Sequence, residues 1–117
     1  MYFKQITVEG MGCLSYLIGC PQARVACVVD PKRDVQDYIQ IARANGMKIT
    51  HIFETHLHAD HFLGLPGLIQ SMGLNGREEE LEICGPKGIV GTVRSLMNLG
   101  YFDCSYRVRT KTVSPGD

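Results

Sequence analysis

Apolar positions along the 117-residue chain recur with two different periods. Tyr2 to Val8 alternates weakly and predicts a first strand, ended by a turn at Gly10-Met11-Gly12. Cys13 to Ile18 and the valine-rich run Arg24 to Val29 predict a second and a third strand, and Asp30-Pro31 stops the third. The period then lengthens. Val35, Tyr38, Ile39 and Ala42 share one helical face, with Asp34 placed to cap the helix and Asn45-Gly46 placed to close it. Ile49 to Glu54 is a short apolar run of the kind that forms a buried strand, and a loop from Thr55 to His61 follows. Leu65, Leu68, Ile69 and Met72 have helical spacing, with Gly73 as the expected stop and a polar loop over Leu74 to Glu80. Leu81 to Cys84 predicts a fifth strand. Pro86 suits the first turn of a helix carrying Ile89, Val90, Val93, Leu96 and Met97 to near Gly100, and Tyr106 to Val113 predicts the last strand. The order βββαβαβαβ is that of an α/β fold with helices on one sheet face, in a single domain over residues 1–117.

Composition narrows the function classes. Twelve basic residues balance 12 acidic ones, and 44% of the residues are apolar, which excludes a disordered chain. No apolar run approaches the ~18 residues of a membrane span. The start, MYFKQITVEG, lacks the pattern of an export signal, so a cytoplasmic location is expected. A formal net charge of zero provides no global field for nucleic acid. The cysteines, at 13, 20, 27, 84 and 104, are odd in number and form no CxxC, so reduced thiols that serve packing are expected.

The histidines change the picture. All four lie at 51, 56, 58 and 61, and three belong to Thr55-His56-Leu57-His58-Ala59-Asp60-His61. Imidazole and carboxylate suit zinc and iron. His56 and His58, two apart at the end of a strand, can pinch one metal, and Asp60 with His61 can face a second position. The competing reading of this run is a solvated polar loop. His51 lies within the preceding strand and is expected to pack or cap rather than ligate.

This HxHxDH run after a buried strand resembles the hallmark of the metallo-β-lactamase superfold. The resemblance implies the N-terminal half of an αββα sandwich. It further implies one metal on His56 and His58, a second on Asp60 and His61, and Asp60 as the catalytic group that orients a water or takes its proton. Asp30, in Val28-Val29-Asp30-Pro31, matches a family position that orients the ligands, although an Asx turn before proline accounts for it equally well. Residues 1–61 resemble persulfide dioxygenases and glyoxalase II-like proteins through Met1-Tyr2-Phe3-Lys4-Gln5, Ser15-Tyr16-Leu17-Ile18 and Ile49-Thr50-His51-Ile52-Phe53-Glu54-Thr55-His56. Residues 62–117 resemble RNase Z, the tRNA 3′-processing endonuclease, through Leu63-Gly64-Leu65-Pro66-Gly67-Leu68-Ile69 and Ile83-Cys84-Gly85-Pro86-Lys87-Gly88-Ile89. A family junction near residue 61, in a recombined or engineered chain, is the resulting expectation.

Members of the superfold take further ligands from a second half, and no histidine follows His61 here. The expectation is therefore a zinc or iron site of one or two ions, incomplete within one chain unless Asp103, Asp117 or a cysteine closes a mononuclear site. The activity expected is at most weak metal-dependent hydrolysis of a phosphodiester or thioester. The alternatives are a persulfide dioxygenase-like iron oxygenase and a non-catalytic chimera. A half-sandwich leaves one apolar sheet face bare, so a homodimer through that face is expected. Arg107, Arg109 and Lys111 alternate on the last strand. They read as a charged edge more readily than as a phosphate-binding stripe, leaving nucleic acid as a disfavoured partner.

Overall fold

A computed structural model of the chain describes residues 1–8, 13–32, 34–57, 64–98 and 104–114. Strands β1 (Tyr2–Val8), β2 (Cys13–Cys20), β3 (Val25–Val29), β4 (Lys48–Phe53), β5 (Leu81–Gly85) and β6 (Val108–Thr112) form one sheet in the order β1-β2-β3-β4-β5-β6. The first three pair antiparallel, as short turns permit, and β3 through β6 pair parallel. A parallel step needs a crossover. Helices α1 (Gln36–Ala44), α2 (Leu65–Leu74) and α3 (Ile89–Met97) lie in the connections that follow β3, β4 and β5. The βββαβαβαβ order expected from the sequence is the order observed.

Boundaries differ where local chemistry overrides periodicity. β2 runs on to Cys20, because Gly19 and Cys20 still find partners in Ala26 and Val25. Helix α1 starts one turn position late, with Val35 at its N-cap, and Asp34 Oδ1 accepts only a long 3.4 Å bond from Gln36 N–H. Gly73 does not end α2; the chain turns instead at Gly76, whose φ of +86° suits glycine. Pro86 precedes α3 rather than opening it, and Gly88 at φ +101° makes the entry.

A register shift in the parallel pair of β3 and β4 aligns the core. Ala26 pairs with Ile49 but Cys27 pairs with His51, so Thr50 is the extra residue of a bulge. Ile49 and Ile52, three apart, are thereby both buried. Leu17, Val28, Leu81 and Ile83 of the sheet join them in one core with Tyr38, Leu68, Ile69, Ile89 and Val93 of the helices. The opposite face carries Phe3, Leu14, Tyr16, Ile18, Val25 and Phe53, which the register places together. Phe3 is 55% exposed and Leu14 is 41% exposed. Toward β6 the same face turns charged. Glu82 pairs with Arg109, and Glu80 lies 3.7 Å from Arg107 and 3.6 Å from Arg109. Arg107 and Arg109 of the basic stripe are thus faced by carboxylates. Cys20, Cys27, Cys84 and Cys104 are free thiols, and burial pushes the Cys27 and Cys84 thiols up, away from the reactive thiolate. Among the described residues no helix is long and apolar enough to cross a membrane.

A buried polar chain fixes how the helix layer meets the end of β3. The Ser15 hydroxyl donates to the Val29 carbonyl at 2.9 Å, the Tyr38 hydroxyl donates to Ser15 Oγ at 2.7 Å, and Lys32 N–H donates to the Tyr38 oxygen at 2.7 Å. Ser15 and Tyr38 are fully buried. Tyr38→Phe strips partners from Ser15 and from Lys32 N–H, and the expected loss is about 1–3 kcal/mol, measured by urea unfolding with an unchanged m-value. A loss below about 0.5 kcal/mol would show that this chain does not hold the segment.

Candidate metal centre

β3 and β4 run parallel and end level, with Val29 opposite Phe53. Asp30 therefore emerges beside Glu54, Thr55 and His56, at the carboxyl ends of the strands where open α/β sheets place their ligands. Asp30 N–H donates to the Phe53 carbonyl at 2.9 Å, and Glu54 N–H donates to the Cys84 carbonyl at 2.8 Å. Asp30 adopts a left-handed conformation, φ +50°, which an Asp tolerates better than most residues. Its carboxylate then folds back onto the start of the histidine motif. Oδ1 accepts Thr55 N–H at 2.7 Å, and Oδ2 accepts the Thr55 hydroxyl at 2.6 Å. Thr55 Oγ1 also lies 2.9 Å from His56 Nδ1.

The far side of the motif is anchored to the same segment. Gly64 precedes α2, and a Cβ there would lie 2.5 Å from the Lys32 carbonyl oxygen. Glycine is thus required for the close approach of α2 to Pro31-Lys32. Both flanks of residues 58–63 rest on Asp30-Pro31-Lys32, one through Thr55 and the other through Gly64.

Of the residues singled out in the sequence, Asp30 and His56 are brought together with Thr55 between them. His58, Asp60, His61, Asp103 and Asp117 lie outside the described residues. Among the described residues no group of three His, Cys, Asp or Glu side chains is arranged to hold a metal ion. His51 stands apart on the open sheet face, where it stacks on Phe53 with ring centroids 6.1 Å apart and contacts Thr50 Oγ1 at 2.9 Å. Its side chain is 42% exposed, and its Nε2 lies 3.6 Å from Glu82 Oε2.

Sequence reasoning passed over two residues. Thr55 looked like the first residue of a loop, and Glu54 like the last of a strand. Glu54 is only 3% exposed, and among the described residues neither carboxylate oxygen has a hydrogen-bond partner. Burial first, and the neighbouring Asp30 second, push its carboxyl up to about 9. The one available signal was an acidic residue ending an otherwise apolar run one residue before a polar motif.

The description "Metallo-beta-lactamase superfamily" fits residues 8–92, and the chain belongs to that superfamily. The chain is similar to the Ribonuclease Z of Methanothermobacter thermautotrophicus, 47% identical over 81 residues, which cover 69% of this chain and 26% of that protein. It therefore spans about a quarter of the length of that curated relative. Its structure is similar to the short form of human tRNase Z, with a TM-score of 0.64, 27% identity, and coverage of 89% of this chain and 40% of that one. ETHE1 of Myxococcus xanthus shares the fold at a TM-score of 0.60 and 24% identity, covering 93% of this chain and 41% of that one. The resemblances to RNase Z and to the persulfide dioxygenase side of the superfamily both stand, the second at the level of fold.

The buried acid makes stability depend on pH. Glu54 holds its proton more tightly folded than unfolded, so its contribution is fully present below the ordinary value of 4.5 and is lost as pH rises toward about 9. Glu54→Gln removes that titration. The variant should gain on the parent by more than about 1 kcal/mol between pH 5 and pH 8, read from denaturation midpoints of the metal-free protein. Parallel pH profiles for the two proteins would contradict a protonated buried Glu54.

Proposed function

We propose that this chain is the metal-binding portion of a metal-dependent hydrolase of the RNase Z type, acting on a phosphodiester. The observation that carries this reading is the Asp30–Thr55–His56 connection at the head of HxHxDH, in a chain with RNase Z relatives. Superfamily members generally bind zinc or iron. The donor set fits such an ion. The imidazole of His56 contacts the Thr55 hydroxyl, which the Asp30 carboxylate holds in turn, the kind of support that metal-bound histidines commonly have. His56 and His58 would hold one ion, and Asp60 and His61 a second, with zinc the choice that suits hydrolysis. When bound, such an ion lowers the pKa of a coordinated water and supplies a nucleophile at neutral pH. This chain's own part is to orient: Asp30 and Thr55 hold His56, and Asp60 would position the water or receive its proton. Because the chain covers a quarter of its relative, the activity of the isolated chain is expected to be weak at most.

The test is metal content by native mass spectrometry after loading with zinc. At least one ion per chain is expected, and about none in a His56→Ala, His58→Ala double variant, along with loss of any hydrolysis of a nitrophenyl phosphodiester. A folded parent that takes up neither zinc nor iron would sink the reading.

The open sheet face supports a second, structural proposal. Its apolar side chains on β1 to β4 form the kind of surface that another sheet covers. In a solution of the 117-residue chain that sheet is supplied by a second copy, so the sedimentation mass should move from monomer to dimer with rising concentration. A monomer at every concentration, or a dimer indifferent to Phe3→Glu, would overturn it.

A further inference from the structure

Thr55 sits where one proton decides which nitrogen of His56 faces a ligand. A threonine hydroxyl has one proton to donate. Here that proton is directed to Asp30 Oδ2 at 2.6 Å, and the Thr55 backbone N–H is directed to Oδ1 at 2.7 Å. The carboxylate can only accept, so the direction of the hydroxyl bond is fixed. The remaining contact of the hydroxyl, 2.9 Å to His56 Nδ1, must then be one in which the oxygen accepts. An accepting oxygen requires a proton on Nδ1. In a neutral imidazole that leaves the lone pair on Nε2.

We propose that Thr55 is a positioning residue that selects the Nδ1–H tautomer of His56 and so presents Nε2 as the metal donor. This inference rests on the metal-binding reading of His56 and adds to it a chain of direction: carboxylate, hydroxyl, imidazole, ion. The orientation is built before any ion arrives. Asp30 is held in place by its own N–H bond to the Phe53 carbonyl. Its backbone is committed to the left-handed region at φ +50°. It is 8% exposed, so water competes little for its oxygens. Valine in place of Thr55 has nearly the same shape and keeps the backbone N–H to Asp30, but it can neither donate to Oδ2 nor accept from Nδ1. Serine keeps both functions.

The test reads the tautomer directly, on metal-free protein. Long-range 1H–15N correlation of 15N-histidine-labelled protein near pH 8 distinguishes the two ring nitrogens. His56 is assigned by the signal lost in His56→Ala. The parent and Thr55→Ser should show Nδ1 protonated. Thr55→Val should move His56 toward the Nε2–H form, and its zinc affinity, measured by competition with a chelator, should fall about 10-fold or more. Thr55→Ser should stay within about threefold of the parent. An Nε2–H tautomer in the parent overturns the proposal even if Thr55→Val fails to fold. So does a Thr55→Val protein with an unchanged spectrum and affinity. If the parent shows the Nδ1–H form and Thr55→Val shifts it, yet no protein binds zinc or iron, the metal reading fails and the tautomer assignment stands.

Discussion

A single carboxylate joins two parallel strands at the level where the chain leaves the sheet. Asp30 follows β3 and Thr55 follows β4, and the two hydrogen bonds between them determine where the histidine motif begins. The arrangement depends on everything behind it. The bulge at Thr50 brings β4 to the correct length against β3. The Ser15–Tyr38–Lys32 chain pins the segment after β3 to helix α1. Gly64 allows α2 to rest on the Lys32 carbonyl. Hydrophobic burial supplies the bulk of the folding energy, but it is non-directional. Direction at His56 comes from polar contacts such as the one with Thr55.

The same end of the sheet holds a second acid, buried beside the first. Among the described residues neither Glu54 oxygen has a partner, and another acid lies beside it. An unpaired charge in that position would be very costly, so the group stays neutral. Residues that cost stability gather where a structure has a task beyond folding. Asp30, with its left-handed backbone, belongs to the same class, and the two are neighbours. A protein with no function at the ends of β3 and β4 would have little reason to retain either feature.

Much of this was legible from residue order. Valine-rich and alternating runs marked the strands, and the spacing of Tyr38, Ile39 and Ala42 marked a helix, because side-chain periodicity follows directly from backbone geometry. HxHxDH was visible for its density alone. The bulge was not legible: a period broken by one residue at Thr50 looks like noise until the partner strand is known. Gly73 and Pro86 misled for a related reason. Either residue is compatible with a boundary, but packing and the φ +86° and φ +101° turns at Gly76 and Gly88 decided where the helices stop and start. Thr55 and Glu54 were passed over because their roles exist only in relation to Asp30, some 25 residues earlier in the chain. Long-range polar pairing leaves almost no trace in local pattern.

Strand order in the sheet is also strand order in the chain. Among the described residues no strand is inserted between two others already paired. β3 and β4, which carry Asp30 and His56, are the middle pair, with two strands on either side. Fraying begins at sheet edges and chain termini, where opening costs least. Among the described strands β1 and β6 are the outermost, with β2 and β5 next in line. The two strands that must keep level with one another are therefore the pair farthest from either outer strand.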